Sequence, residues 1–191
     1  QSGVNSFDAS MDAGNASSAN ADPLAYDIMA AFYAACASFI AQNAGAKKSD
    51  RVLKSYFLSM GYAFFTGLLI GLLLYVFGRQ FLSLFATDES VIQAGMKRLR
   101  IMALSYCVSA FMDCSIAASR GLGKTLVPSI IVILGSCVFR IVWLYTVFAY
   151  FKTIESLFLL YVFSWTITAI AEIIYFVIVF RDFRQNRNYT K

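Results

Sequence analysis

The chain has 191 residues, 59% of them apolar and 14% charged, with a mean hydropathy of +0.65 and a formal net charge of +5. Soluble domains carry about 25% charged residues, so this composition excludes an ordinary water-soluble globule and points to an integral membrane protein. Its apolar runs of about 20 residues match helices crossing a hydrocarbon core, not the short alternating segments of a β-barrel.

Residues 1–23 start at Gln1 with neither an initiator methionine nor a basic-then-apolar leader, so the chain is expected to be a piece of something longer. Membrane-spanning helices are predicted at 24–46, 56–78, 101–119, 126–151 and 156–180, with a tail at 181–191. The first is the least apolar. The 56–78 helix has no charge in its interior and carries Gly67 and Gly71 at a spacing that permits close helix packing, so its predicted role is structural. Cys36, Cys107, Cys114 and Cys137 lie within apolar stretches without a CxxC pair, and the chain has no histidine. No metal site is expected, and the cysteines read as small packing residues.

Charge placement predicts orientation. Asp8, Asp12, Asp22 and Asp27 precede the first basic residue. Following alternate sides of the membrane, one side collects Lys47, Lys48, Arg51, Lys54, Arg120, Lys124, Arg181, Arg184, Arg187 and Lys191; the other receives Arg79, Lys97, Arg98, Arg100 and Lys152. The positive-inside rule then puts the carboxy-terminal tail in the cytoplasm and the acidic amino-terminal segment outside. This distribution along membrane connections also argues against nucleic acid as a partner.

Residues 118–125, "ASRGLGKT", nearly spell a phosphate-binding loop. Such a loop needs a strand before it and a helix whose N-terminus faces the phosphate. Here Ile101–Ser119 is a membrane-length run, and Pro128 opens another three residues after Thr125. That leaves no room for a nucleotide domain. A tight cytoplasmic turn is predicted, with Gly121 and Gly123 taking unusual backbone angles and Arg120 and Lys124 at headgroup level. The competing class, an ATP-dependent enzyme, requires nucleotide binding that is lost on Lys124→Ala.

Three ionisable residues fall inside spans, where each costs about 2.5–3.5 kcal/mol at a helix centre: Asp113, Arg140 and Glu172. At about 100° per residue, Ser105, Ser109, Asp113 and Arg120 share a sector of about 80°. Ser129, Ser136, Arg140 and Trp143 form a second stripe, and Tyr161, Ser164, Thr168, Glu172 and Tyr175 a third. Three stripes on successive helices suggest a lined cavity, with Trp143, Tyr161 and Tyr175 as the aromatic candidates for binding flat cations. Two readings of the charges follow. Arg140 neutralises Asp113 or Glu172 as a structural pair, or one of these carboxyls exchanges a proton or sodium ion in step with substrate.

The stretch 120–125 followed by Pro128 resembles the "RGxGxT...P" junction between helices ten and eleven of multidrug and toxic compound extrusion (MATE) transporters. "QSGVNSF", "GNASSAN" and "FYAACASFIAQNAGAKK" resemble the end of helix seven, its connection and helix eight, with Gln42, Asn43, Gly45 and Ala46 matching a "QNxGA" turn. "YVFSWTIT" at 161–168 resembles helix twelve. The one departure is "FDASMDAGN", where a more apolar segment is expected.

The resemblance implies an all-α membrane protein: five complete transmembrane helices plus the end of a sixth, one lobe of a two-lobe, twelve-helix transporter with its cavity between lobes. The implied function is secondary active multidrug efflux, exporting organic, often cationic, compounds in exchange for H+ or Na+ by alternating access. No cofactor beyond the coupling ion is implied, nor any enzymatic activity. Implied partners are small organic substrates, membrane lipids and an amino-terminal six-helix lobe, without which the chain is expected not to transport. The implied location is the cell (inner) membrane. Asp113 lies on the helix that often carries a coupling acid in this family; Glu172 matches no family position. A lipid-linked oligosaccharide flippase of related architecture is the alternative, expected to have more intramembrane arginines than Arg140. Another is a structural membrane protein, which requires the stripes to pack without a cavity.

Overall fold

The computed structural model describes residues 9–151 and 154–189, so the expectations for residues 1–8 and for Lys152 and Lys191 fall outside it. In chain order the elements are α1 (Ala9–Ala19), α2 (Ala21–Gly45), α3 (Ser49–Ser83), α4 (Glu89–Gly121), α5 (Leu126–Val132), α6 (Phe139–Trp143), α7 (Ala149–Phe151) and α8 (Ile154–Tyr189). Two π-helical turns, Ile133–Val138 and Leu144–Phe148, join α5 to α6 and α6 to α7, so these pieces form one broken span. Among the described residues four stretches are long and apolar enough to cross a membrane: Ser10–Gly45, Ser49–Ser83, Leu126–Phe151 and Phe158–Gln185. α4 bends by 45° between Glu89–Ala103 and Ser105–Gly121, and is a fifth crossing if the bent pair is one span.

Helical structure extends past the predicted bounds at several places. Residues 9–23, expected to finish one helix and form a connection, instead run as α1 into α2 through a break at Asn20. The acidic residues do not expel this segment, because Asp12 is exposed and Asp22 is neutralised by Arg98. The 79–100 connection shrinks to residues 84–88, since α3 runs on to Ser83 and α4 starts at Glu89. There Asp88 caps α4, its Oδ1 accepting the Ser90 N–H at 2.9 Å. Arg98, counted among the connection charges, is instead buried within α4. Beyond residue 180, α8 continues as helix to Tyr189.

α4 is the central element, packing against α1, α2, α3 and α8. α2 turns a stripe of small and slender residues into the core, Ala21, Ala25, Met29, Tyr33, Cys36 and Ile40, as expected for one helix face. α3 answers with Gly67, where a methyl group would lie 3.0 Å from Met29 and 3.3 Å from the Cys107 backbone nitrogen. Absence of a side chain there lets three helices meet. At the other end of this layer the Tyr56 hydroxyl and Ser115 Oγ hydrogen-bond at 2.9 Å, and the Tyr56 ring packs on Phe176 of α8 at 4.3 Å. Outward faces of α3 and of the broken span are strongly apolar, for example Phe65, Leu69, Val76, Ile133, Ile141 and Tyr145.

Candidate functional site

α2, α4 and α8 line a cavity of about 360 Å³. Asp22, Tyr26 and Met29 reach it from successive turns of α2, and Tyr106, Ser109 and Asp113 do so from α4. Both sets follow i, i+3/i+4, i+7 spacing, which puts them on single helix faces. Asp27, Met102 and Met112 complete these two walls, while Tyr161 and Trp165 close the α8 side. Three carboxyls, several aromatic rings and three thioethers therefore share one space.

The carboxyls are held differently. One oxygen of Asp22 accepts the Tyr106 hydroxyl at 2.7 Å, and the other pairs with the Arg98 guanidinium. Arg98 also donates to Ser18 Oγ at 3.2 Å. Asp22 is thus neutralised and fixed from α1 and α4 together. Asp113 and Asp27 have no hydrogen bond or ion pair among the described residues, so two unpaired carboxyls remain available to a bound cation.

Of the predicted cavity residues, Ser109, Asp113 and Tyr161 meet at this site. Ser105 does not line it: it is buried and donates to the Ile101 carbonyl at 2.8 Å. Ser109, though at the wall, also donates to a backbone carbonyl, that of Tyr106, at 2.9 Å. Ser164 donates across helices to the Gly135 carbonyl at 2.8 Å, and Thr168 to the Ser164 carbonyl at 2.7 Å. Their polar face is spent where α8 packs on Gly135, whose missing side chain leaves room for Thr168. Tyr175 is half-buried outside the cavity.

The stripe on the broken span also misses the cavity. Neither Ser136, Arg140 nor Trp143 is among its walls. Trp143 stacks on Phe163 of α8 at 5.2 Å. Arg140 lies 4.5 Å above the Tyr161 ring and its Nε donates to Ser164 Oγ at 3.3 Å. The expected pairing of Arg140 with Asp113 or Glu172 is therefore not formed among the described residues. A cation–π contact takes its place, because Tyr161 and Ser164 present both a ring face and an acceptor on the adjacent helix. Arg140 and Trp143 therefore share a face as the spacing predicts, but that face packs on α8 and does not open to the cavity.

Glu172 is fully buried, and neither carboxyl oxygen has a hydrogen-bond partner among the described residues. Buried polar groups are nearly always satisfied, which marks this residue as exceptional. Tyr33 of α2 likewise buries a hydroxyl with no hydrogen-bond partner among the described residues.

The predicted turn residues sit at the two helix junctions on the opposite side from residues 84–88. Gln42 donates to Ser38 Oγ at 3.3 Å and Asn43 to the Phe39 carbonyl at 2.8 Å, within the last turns of α2, and Gly45 ends that helix in open space. Gly123 takes φ +80°, an angle that L side chains resist. Gly121 differs from expectation: it is the last residue of α4, with no unusual angle, and serves close packing instead. A methyl group there would lie 2.7 Å from the Ala37 carbonyl oxygen and 2.9 Å from Ile40. Arg120 and Lys124 are exposed, and Pro128 is buried in the first turn of α5, where no donor is lost.

Asp22, Tyr26, Asp27, Arg98, Tyr106 and Trp165 are site residues not predicted. Asp22 and Tyr26 at i, i+4 were a legible pair, but only once residues 20–23 are recognised as helical.

A family model, MatE, matches residues 7–146, well over half of the chain. The chain belongs to the MatE family. Among solved structures it is similar to an inward-facing multidrug resistance MATE family transporter of the MOP superfamily (TM-score 0.80, 17% identity, covering 88% of this chain and 39% of that one). It is similar also to an outward-facing conformation of such a transporter (TM-score 0.82, 16% identity, 91% of this chain and 39% of the other). A MOP superfamily transporter from Pyrococcus furiosus, described as having a binding pocket of reversed polarity, matches with TM-score 0.79 and 15% identity over 92% and 43% of the two chains. At these identities the likeness shows the fold. This MatE chain spans about two fifths of the length of the structures it matches. No curated protein matches it. As a MatE protein with several membrane-length apolar helices, it is a multi-pass membrane protein of a transporter family.

Proposed function

We propose that this chain is the carboxy-terminal lobe of a two-lobe secondary active exporter, which carries organic cations out of the cell in exchange for H+ or Na+ by alternating access. The observation that supports this best is the cavity in which Asp113 and Asp27 lack partners while Asp22 is occupied by Arg98. With Arg98 neutralised, the site favours a positively charged guest, and the rings of Tyr26, Tyr106, Tyr161 and Trp165 offer faces to a flat one. Met29, Met102 and Met112 supply adaptable apolar walls suited to varied substrates.

In this scheme Asp113 is the site where coupling ion and substrate compete. An organic cation at Asp113 and a proton or sodium ion at Asp113 are mutually exclusive, so binding of one from one side releases the other. Glu172, buried on α8 with no hydrogen-bond partner among the described residues, is a second candidate for the coupling ion. The outward apolar face of the broken span, none of whose apolar window is buried within this chain, is where lipid and the amino-terminal lobe would cover it. The tail is placed in the cytoplasm by the positive-inside rule.

Efflux of a cationic dye from cells expressing the full-length protein tests the reading, with the proton and sodium gradients collapsed separately. Loss of efflux on collapsing one of them is expected. Efflux that survives both, or that needs ATP directly, contradicts it.

A further inference from the structure

A second cleft, of about 450 Å³, lies between the end of α3 and the start of α4. Its rim carries Arg79, Lys97 and Arg100 against a single carboxylate, Glu89. Arg79 and Glu89 are joined at 2.8 Å and neutralise one another. Lys97 and Arg100 are exposed, and neither has an ion-pair or hydrogen-bond partner among the described residues. Helical geometry separates them from Arg98 between them: Arg98 turns inward to Asp22, while residues three apart share the outer face.

The walls beside these cations are apolar. Tyr75, Val76 and Met96 line the cleft, and Tyr75 and Val76 are strongly exposed, continuous with Leu72 and Leu73 one turn further into the apolar span. Two uncompensated cations thus stand beside the last apolar turns of α3, where the chain turns polar and a bilayer phosphate would be met. A free inorganic anion would use only the charges. A phospholipid would use both features.

We propose that this cleft binds an anionic phospholipid, its phosphate against Lys97 and Arg100 and an acyl chain along Tyr75 and Val76. The site lies at the opposite end of α4 from Arg120 and is separate from the transport cavity.

The test is native mass spectrometry of the full-length protein, released from detergent containing phosphatidylglycerol or phosphatidylcholine, with inorganic phosphate as competitor. Phosphatidylglycerol should be retained in preference to phosphatidylcholine. Lys97→Gln with Arg100→Gln should weaken its retention about ten- to thirty-fold. The charge-preserving exchange Lys97→Arg with Arg100→Lys should keep it, which guards against a folding defect. Lys124→Gln with Arg181→Gln, at the other end of the bundle, should leave it unchanged. Equal retention of both lipids, equal loss in the distant variant, or full displacement by millimolar inorganic phosphate would each overturn the lipid site; the last would identify a simple anion site in its place.

Discussion

Arg98 of α4 and Asp22 of α2 form an ion pair in which the arginine is 7% exposed and the aspartate 36%. The pair joins three helices, because Arg98 also reaches Ser18 of α1, and it fixes one wall of the cavity through Tyr106. Removing one partner from a buried pair leaves the other charge uncompensated, whereas replacing both with apolar groups is often close to neutral. With Asp22 more than a third exposed, solvent takes up part of that loss, so Asp22→Asn should lower stability by about 1 kcal/mol. Adding Arg98→Met should recover most of that loss. Thermal unfolding of the full-length protein in detergent measures both, and equal stability of the single variant and the wild type would show that the pair is dispensable.

The two glycines of the 118–125 turn have different duties and should respond differently. Gly123 needs a positive φ, which asparagine tolerates better than alanine. Gly121 needs space against Ala37 and Ile40, so the larger side chain is worse there. Gly123→Asn should be milder than Gly123→Ala, and Gly121→Asn more severe than Gly121→Ala, with Gly121→Ala itself costing about 1–3 kcal/mol. The order of the four melting temperatures is the readout.

Glu172 pits stability against function. A fully buried carboxyl without a partner costs free energy that a side chain of similar length and no charge does not. Glu172→Met should raise stability by about 1–3 kcal/mol while reducing gradient-driven efflux. A fall in stability would mean that the carboxyl is satisfied by a group from outside this lobe. Undiminished efflux would remove it from coupling.

How legible these features were depended on helix regularity. The Ser109 and Asp113 wall follows from 100° spacing because α4 is regular over that stretch. The Arg140 stripe misses the cavity because spacing gives a shared face but not the neighbour that face meets, which is α8. Arg98 was placed in a connection because hydropathy treats a charge as an end of a span, although a paired arginine can stay within the helix. Asp22 is hidden the same way from the other side: its charge reads as a loop, and only the partner 76 residues away in α4 explains its place in α2. Gly121 and Gly123 were both legible as turn glycines, but backbone angle and close approach cannot be told apart without the neighbouring helix.

Asp113 carries the central claim, since it is the unpaired cavity carboxyl contributed by α4, the element around which the lobe is built. The direct measurement is uphill transport of a cationic dye by the full-length protein in proteoliposomes, driven by an imposed proton or sodium gradient, for the wild type and Asp113→Asn. The wild type should accumulate dye against its gradient, and the variant should insert and fold equally well but lose gradient-driven transport. Wild-type rates from Asp113→Asn would contradict the account.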